Sequence, residues 1–526
     1  MKAIATGLCL SALVMAVHAA DRTWDGGGSD ANWKTPANWD GDATYPAAGD
    51  VLVFGGSVKL TNTNTLDTGT AVSGLTFSAG AGAFSLWGVG LTLDGNVSNL
   101  SASAQTLNLP LALSATRMVY GSNVAFTVNG TLSGPGGLIA NVTNSTLTLT
   151  ASNTYEGVTL VTNGQLAVTH KNALGGTTAG TRVHGPSNAS LKLSGSIDLA
   201  EPLTLDGARP GYQSSLLGDT GTNTVSGRIS KEGNSPRIRV EANRTLVLAG
   251  GITNVSGGGN LGLNPQSGSK LIIKDQPLLL GSSTGIQAEY GGTVVFAVPS
   301  NTYSSMLICD HNRVRTDVAN ALSPVAQLTI GGSWVADALL DLNGFDQTVG
   351  GLKTDGNKTN PGYLAVTSTV PATLTVDQGG NTVFVGALDG AVSLTKKGAG
   401  TLIFSNVISQ TTGDLLVASG TVVVAEIGGF AQCRNVRIAG GTFELRNGTA
   451  LPDSATVWIA DGAKLKLGTG VNETVCYLYY GAQPKRAGTY GSTASAARYK
   501  DDARFSGNGV LTVRFDKVPG TFLFVQ

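Results

Sequence analysis

Three neighbouring residues, Cys309, Asp310 and His311, carry side chains that could take part in catalysis. In an extended strand Cys309 and His311 would face the same side, and a thiol beside an imidazole can act as a nucleophile with its base. The surrounding segment, 303–321, is also the one part of the chain that could form a short helix. Nothing in the neighbouring sequence orients the pair as a nucleophilic site requires, so we interpret these residues as structural.

Acidic residues suggest two other kinds of chemistry. The adjacent Asp501 and Asp502 could bind a cation, but an oxygen-ligand site needs several converging groups, and we interpret these acids as solvated. A polysaccharide hydrolase or lyase would need paired carboxylates on neighbouring strands, which one sequence does not exclude. The acids of the most regular region are scattered rather than stacked, at Asp414, Glu426, Glu444 and Asp461.

The motifs of several well-known catalytic sites are missing from the sequence. There is no Gly-x-Ser-x-Gly elbow in a strand–turn–helix setting, no His-Glu-x-x-His and no phosphate-binding loop with Gly-Lys-Ser/Thr. The calcium-binding glycine nonapeptide is not repeated, although Asp25 and Asp30 lie among glycines. We therefore predict that the protein is not an enzyme, and that it has no catalytic, cofactor-binding or metal-ligating residues and no cofactor.

One strand pattern recurs every 21 residues in the C-terminal half of the chain. Leu415, Val436 and Val457 keep this spacing (436−415 and 457−436), and each is followed by a glycine turn and a second strand. A period of about 20 residues with two short strands and a glycine corner is typical of a β-solenoid, in which each coil stacks on the previous one. We expect two buried columns, one formed by Val417, Ile438 and Ile459 and the other by Val424, Leu445 and Leu467.

The same region resembles a known repeat family. The string Lys-Gly-Ala-Gly-Thr-Leu-Ile-Phe-Ser at 397–405, followed by Gly413 and Gly420, is similar to the autotransporter-associated β-strand repeat, also called the passenger-associated transport repeat. The clearest copies lie within 132–168 and 392–425. The resemblance implies an all-β fold, which we predict to be an elongated right-handed parallel β-helix (solenoid) with N- and C-terminal caps.

Aromatic residues gather at both ends of the predicted β-helix, which we assign to 57–474. The segment 21–56 resembles the module that often opens proteins with these repeats, and it holds Trp24, Trp33 and Trp39. We interpret it as a cap that plugs the first coil, because exposed strand edges recruit other chains; sugar stacking on exposed tryptophans is the alternative. The segment 475–526 resembles the family's closing segment, and we predict that its tyrosines plug the last coil: Tyr477, Tyr479, Tyr480, Tyr490 and Tyr499.

The first 20 residues are typical of a secretory signal peptide. Lys2 supplies a positive charge, residues 4–17 are apolar, and 17–19 resemble a small-residue cleavage site. A membrane anchor is the alternative, although the apolar run is short for a bilayer span, and no later stretch is long enough to cross a membrane. We therefore predict a secreted or outer-cell-surface location, with no membrane span in the mature chain.

Composition narrows the class of protein and of partner. The 526 residues include 73 glycines and 17 prolines, with 13% charged and 41% hydrophobic residues, which does not favour helices or disorder. The formal net charge of +0 argues against nucleic acid as a partner, since its phosphates demand a positive excess. Three cysteines remain after the signal peptide, and Cys433 and Cys476 would lie about 10 Å apart on stacked coils, too far for an undistorted disulfide.

Two functions are consistent with these patterns. The first is a non-enzymatic secreted or cell-surface solenoid that is adhesin-like or serves as a structural or matrix component. The alternative is a glycan-binding or glycan-cleaving β-helix that uses a groove on one face. Partners would be extracellular glycans or cell-surface components, and the oligomeric state stays open. Autotransporters join such a β-helix to an outer-membrane barrel, whereas only 516–526 follows the cap here, so we expect no barrel of that kind.

Overall fold

The computed structural model describes residues 19–184, 188–206, 214–233, 235–332, 337–355 and 363–516. Regular structure in these ranges is almost entirely short β-strand, with one turn of 3-10 helix at Pro36–Asn38 and no α-helix. No helix of the described chain is long and apolar enough to cross a membrane. The predicted signal peptide lies outside the described residues except at its last two positions, and so does the end of the predicted C-terminal cap, from residue 517.

Short strands follow one another along the whole described chain. In chain order they are Asp21–Trp24, Val51–Phe54, Thr61–Asn64, Thr70–Val72, Gly74–Phe77, Ser85–Gly88, Leu91–Leu93, Val97–Asn99, Gln105–Leu107, Leu111–Leu113, Arg117–Ser122, Phe126–Val128, Leu132–Ser133, Leu138–Leu149, Thr159–Val168, Thr181–His184, Ser190–Leu193, Asp198–Leu199, Leu203–Asp206, Leu216–Gly218, Thr222–Val225, Ile229–Glu232, Arg237–Val240, Thr245–Leu248, Ile252–Asn254, Leu261–Pro265, Lys270–Ile273, Leu278–Leu279, Ile286–Ala288, Thr293–Phe296, Ser305–Ile308, Arg313–Thr316, Gln327–Ile330, Ala338–Asp341, Gln347–Val349, Gly351–Lys353, Leu364–Asp377, Thr382–Phe384, Ala387–Lys397, Thr401–Phe404, Ile408–Ser409, Leu415–Val417, Thr421–Val424, Gly429–Phe430, Asn435–Ile438, Thr442–Leu445, Thr456–Ile459, Lys464–Leu467, Asn472–Val475, Tyr477–Tyr480, Gln483–Pro484, Gly488–Gly491, Tyr499–Lys500, Phe505–Ser506 and Val510–Val513.

The chain forms two compact units, the first made of Met1–Leu166 and Asn172–Ala179, the second of Ala167–Lys171 and Gly180–Gln526. In the first unit, strands of successive coils pair in parallel and in register. Trp24 pairs with Phe54 and Phe54 with Phe77, and all three side chains are buried. Alternate residues point inward, so one buried column runs from coil to coil.

The second unit is built in the same way. Leu415, Val436, Val457 and Leu478 pair in register across four successive coils and are all buried. Because each strand finds its partner about one coil later in the chain, every coil depends mainly on its neighbours. The predicted all-β solenoid is confirmed.

Both predicted columns are present in the second unit. Val417 pairs with Ile438 and Ile438 with Ile459, each at most 1% exposed. In the strands after the glycine turns, the expected column is also in register and buried, with members Val424, Leu445 and Leu467. Alternation of apolar and polar residues with a constant coil length is therefore enough to place these side chains.

The prediction of a short helix within 303–321 is wrong. This segment contains two strands, Ser305–Ile308 and Arg313–Thr316, and each pairs in parallel with strands of neighbouring coils. Asp310 and His311 between them have φ angles of 53° and 61°, a left-handed conformation that turns the chain at a corner. Apolar residues at every second position decide the structure here, since they fill the interior of the coil.

Buried amide side chains satisfy the backbone at several inner corners. In the second unit, Asn301 accepts a hydrogen bond from the Leu278 N–H (2.8 Å) and donates one to the Ala321 carbonyl (2.8 Å), which links three coils. Asn153 in the first unit accepts a bond from the Leu132 N–H at 2.8 Å in the same manner. A buried N–H without a partner is costly, so these polar residues stabilise the corners.

At its C-terminal end the second unit departs from parallel stacking. Tyr477–Tyr480 pairs antiparallel with Gln483–Pro484, and Gly488–Gly491 pairs antiparallel with Val510–Val513. These reversals fold the last part of the chain back over its own strands. They also place several tyrosines close to one another, because Gly488–Gly491 pairs in addition with Tyr499–Lys500.

Candidate functional site

The structure does not build a nucleophile from Cys309 and His311. The strand ends at Ile308, Cys309 is buried, and His311 is exposed in the turn, so the common face expected from an extended strand does not form. Burial, helped by the negative charges of Glu289 and Asp310, raises the pKa of the Cys309 thiol to about 12. A thiol with so high a pKa stays protonated at neutral pH and is a poor nucleophile.

Glu289, Cys309 and Asp310 are the group of described residues whose ligand atoms lie close enough to hold a metal ion, within 4.8 Å of one another. The Glu289 carboxylate, however, already has protein partners. The Arg237 guanidinium lies 3.8 Å from its Oε2, and the Asn264 amide donates to the same oxygen at 3.3 Å. Arginine thus compensates the charge that a metal ion would otherwise balance, and we interpret the group as an internal polar contact.

The two adjacent acids near the C-terminus are engaged by protein donors. Asp502 accepts hydrogen bonds from the N–H (2.8 Å) and the hydroxyl (2.7 Å) of Thr493. Asp501 lies 3.3 Å from Arg504 and accepts the Ala503 N–H at 2.9 Å. Their carboxylates therefore hold loops together and do not converge on a common point.

The acids of the regular region remain apart as well. Asp414 accepts a hydrogen bond from the Asn435 amide at 2.7 Å, and Asp461 pairs with Arg504. Glu444 accepts from Arg446 at 2.8 Å and lies 3.3 Å from Lys466. Each of these three acids faces an amide or a base, and none of them faces a second carboxylate as a glycosidase pair would.

The N-terminal tryptophans form a buried cluster. Trp24, Trp33 and Trp39 are at most 1% exposed, and the rings of Trp24 and Trp39 meet edge to face with centroids 5.2 Å apart. The Trp33 indole N–H donates to the Asn62 side chain at 2.8 Å, and the Trp39 N–H to the Trp33 carbonyl at 2.8 Å. Their faces are closed to solvent, so sugar stacking on these three rings is not possible in this structure. Plugging the first coil remains the interpretation.

A second aromatic group lies on the outer side of the C-terminal coils. Arg437, Trp458 and Tyr479 are in register on three adjacent strands. The Arg437 guanidinium lies over the Trp458 ring, 4.9 Å from its centroid, and Tyr479 stacks on the other side at 5.4 Å. Both faces of Trp458 are therefore covered by protein, and this group stabilises the coils through cation–π and aromatic contacts.

Trp87 differs from the four tryptophans above. It is 50% exposed, and among the described residues no other ring or cation lies over it. Its indole N–H donates to the Ser85 hydroxyl at 2.9 Å, which holds the ring on the outer surface of the first unit. An exposed, fixed aromatic ring is a surface on which the apolar face of a sugar can stack.

A row of polar side chains continues from this ring across the next coils. The Asn108 amide donates to the Ser85 hydroxyl at 2.9 Å, and the Asn129 amide donates to the Asn108 carbonyl oxygen at 2.9 Å. The Thr150 hydroxyl in turn donates to Asn129 at 2.8 Å. We call Ser85, Trp87, Asn108, Asn129 and Thr150 the Trp87 row. Its amides keep donors and acceptors available for sugar hydroxyl groups.

An open cleft of about 430 Å³ lies at the C-terminal end of the second unit. Three tyrosines, Tyr480, Tyr490 and Tyr499, form its aromatic walls, and the rings of Tyr490 and Tyr499 are 4.9 Å apart. We define the C-terminal cleft by all its lining residues: Tyr480, Pro484, Lys485, Arg486, Tyr490, Tyr499, Lys500 and Asp501. Its size lies within the range of small-molecule sites.

Sequence reasoning did not single out the Trp87 row or the C-terminal cleft. The alternation Phe84-Ser85-Leu86-Trp87 contained a signal, because Phe84 and Leu86 at inward positions imply that Trp87 points outward. The tyrosines were predicted to cover the last coil, but their arrangement as a cleft depends on chain reversals that no periodic pattern announces.

The chain is similar to the adhesin BmaC autotransporter of Brucella suis biovar 1 (strain 1330), with 29% identity over 310 residues. The matched region covers 54% of this chain and 8% of the adhesin's length. No family model matches the chain, and no solved structure matches it. This chain is therefore a β-solenoid that resembles a small part of an autotransporter adhesin.

Proposed function

We propose that the protein is a non-enzymatic, adhesin-like β-solenoid that works in secreted form or on the cell surface and holds extracellular glycans along the Trp87 row. The single observation that carries the proposal is the half-exposed Trp87 ring at the head of a row of amide and hydroxyl side chains. Stacking on an aromatic ring combined with hydrogen bonds from amides is how protein surfaces recognise sugars.

The similarity to an adhesin supports the adhesin-like part of this proposal. In the same proposal, residues 1–20 are a signal peptide, 21–56 and 475–526 are caps, and 57–474 is a β-helix with autotransporter-associated repeats. The candidate nucleophile is a buried thiol with a raised pKa, and Asp414 and Glu444 in the regular region face an amide and bases. These features favour holding a glycan over cleaving it.

Direct glycan binding tests the proposal. The mature chain, beginning at Asp21, is applied to an array of neutral and acidic glycans, and affinity for the strongest neutral ligand is then measured in solution. Trp87→Ala should weaken that affinity about tenfold, the loss expected for one aromatic stacking contact of roughly 1 kcal/mol or slightly more.

Two matched variants separate stacking from general surface effects. Trp87→Phe keeps a ring and should retain most of the affinity, whereas Val89→Ala changes a nearby residue that is 36% exposed and should have no effect. Absence of binding to every glycan on the array, or full affinity in Trp87→Ala, would contradict the proposed function.

A further inference from the structure

We propose that the C-terminal cleft is a second binding site, chemically different from the Trp87 row, and that it takes an acidic saccharide through the carboxylate or sulfate group of the sugar. The inference does not rest on the Trp87 row, since the cleft is built from other residues in the other unit. It follows from the charge of the cleft, from its aromatic walls and from the way in which its single acid is occupied.

The positive charges of the cleft lack acidic partners. Lys485, Arg486 and Lys500 line it, and none of them makes an ion pair with any residue that the structure describes. Arg486 and Lys500 are exposed and Lys485 is half-buried. In a chain whose formal net charge is +0, three uncompensated cations around one cleft form a local positive field.

The one acid of the cleft is already committed. Asp501 pairs with Arg504 at 3.3 Å and accepts the backbone N–H of Ala503 at 2.9 Å. Tyr480 next to it has a raised pKa because of its burial and the negative charge of Asp501, so its hydroxyl remains a neutral hydrogen-bond donor. Three bases against one acid leave two positive charges in excess for a ligand anion.

The walls favour a sugar over a bare inorganic anion. Tyr480 and Tyr499 are half-buried and present aromatic surface in the cleft, while Tyr490 is buried beneath them. The Tyr490 hydroxyl donates to the Arg486 carbonyl at 2.8 Å, which fixes the backbone that carries Lys485 and Arg486. An acidic saccharide would use both features, stacking its apolar face on tyrosine while its anion meets the bases.

A nucleic acid fits the cleft less well. Its repeated phosphates require a basic surface that extends well beyond one cleft, and this chain has as many acids as bases, 34 of each. The cleft offers a local site of about 430 Å³ instead. A short anionic sugar segment is the ligand class that matches both its extent and its charge.

The test uses one sugar in two charge states. Binding of the mature chain to a galacturonic acid tetrasaccharide is measured by calorimetry beside the methyl-esterified form, which has the same ring without the charge. We expect the acid to bind at least tenfold more tightly than the ester, and its affinity to fall as salt rises from 50 to 200 mM. Equal affinity for the two forms would overturn the proposal.

Variants assign any binding to the cleft. The double substitution Lys485→Ala and Arg486→Ala should weaken binding of the acid at least tenfold, while Lys485→Arg should keep most of it because the charge remains. Lys270→Ala, which removes an exposed lysine elsewhere in the second unit, is the matched control. Unchanged melting temperatures confirm that each variant is folded, and full affinity in the double variant would overturn the proposal.

Two further measurements distinguish the C-terminal cleft from the Trp87 row and from a simple anion site. Trp87→Ala should leave binding of the acidic tetrasaccharide unchanged; a loss there would assign the acid to the Trp87 row and overturn the second site. Inorganic sulfate should compete only weakly. Full competition at equal concentration would show an anion site without saccharide recognition, which also contradicts the proposal.

Discussion

At the scale of the single residue, the buried carboxyl group of Glu201 is the most unusual ionisable group of the second unit. It is 2% exposed; its Oε1 accepts a hydrogen bond from the Thr181 hydroxyl at 3.2 Å, and its Oε2 has no partner among the described residues. Burial raises its pKa from 4.5 to about 7. The folded protein therefore favours the protonated acid, whereas the unfolded chain ionises at its ordinary pKa.

This shift predicts how stability depends on pH. A pKa raised on folding favours the folded state fully below pH 4.5, and that contribution is lost as pH rises through about 7. The loss would be up to about 3 kcal/mol for a shift of this size. Glu201→Gln, which cannot ionise, should flatten the fall in melting temperature between pH 5 and pH 8. An identical pH profile in the parent and the variant would contradict the assignment.

Glu473 provides an informative contrast for that measurement. Burial raises its pKa to about 7 as well, but its two carboxylate oxygens accept the N–H groups of Ala450 (2.9 Å) and Leu451 (3.2 Å). A glutamine at this position would turn an NH₂ group toward one of these donors. Glu473→Gln should therefore destabilise the protein at every pH, and Glu201→Gln alone should leave the part of the pH dependence that Glu473 causes.

At the scale of the element, the glycine turns between strands are not equivalent. Gly441 and Gly462 occupy the same turn of successive coils, with φ angles of 76° and 79°. A Cβ atom on Gly441 would lie 2.1 Å from the Gly420 carbonyl oxygen, whereas one on Gly462 would meet nothing within 4 Å. Left-handed strain affects both positions, but only the first also has a steric clash with the neighbouring coil.

Alanine substitutions at these turns should therefore differ in cost. Gly462→Ala should lower the free energy of unfolding by about 1–2 kcal/mol, the cost of the left-handed conformation for a residue with a Cβ. Gly441→Ala should cost at least about 2 kcal/mol more, because the backbone must move to relieve the overlap. Urea unfolding of the two variants gives the comparison, and equal losses would show that the neighbouring coils separate at Gly441 with little cost.

The same scale shows what the sequence could and could not predict. The columns through Ile438 and Leu445 were predictable, because their spacing and alternation repeat over several coils. The segment around His311 was misjudged since its corner is made by Asp310 and His311 in a left-handed conformation instead of by glycine. The Trp87 row depends on which residues become neighbours across coils, and those neighbours were predictable only where coil length is constant.

At the scale of the whole molecule, the C-terminal residues protect strand edges. Tyr477–Tyr480 pairs with Thr456–Ile459, and Phe505–Ser506 pairs with Lys464–Leu467. Deleting residues 477–526 should leave the preceding coils folded, because each depends mainly on its neighbours, but would expose these edges to other chains. We expect end-to-end association, measured by light scattering beside the full mature chain. A truncated protein that stays monomeric would show that this segment is not a cap.

The constant register also affects how such a chain can change its length in evolution. Leu415, Val436, Val457 and Leu478 face one another at intervals of 21 residues (436−415, 457−436 and 478−457). A duplication of 21 codons within this stretch would add one coil and return every later side chain to its column. An insertion of 20 codons into a strand would turn the following inward residues outward, since successive residues of a strand face opposite sides. Genes of this kind can therefore grow or shrink by whole coils while the buried columns are preserved.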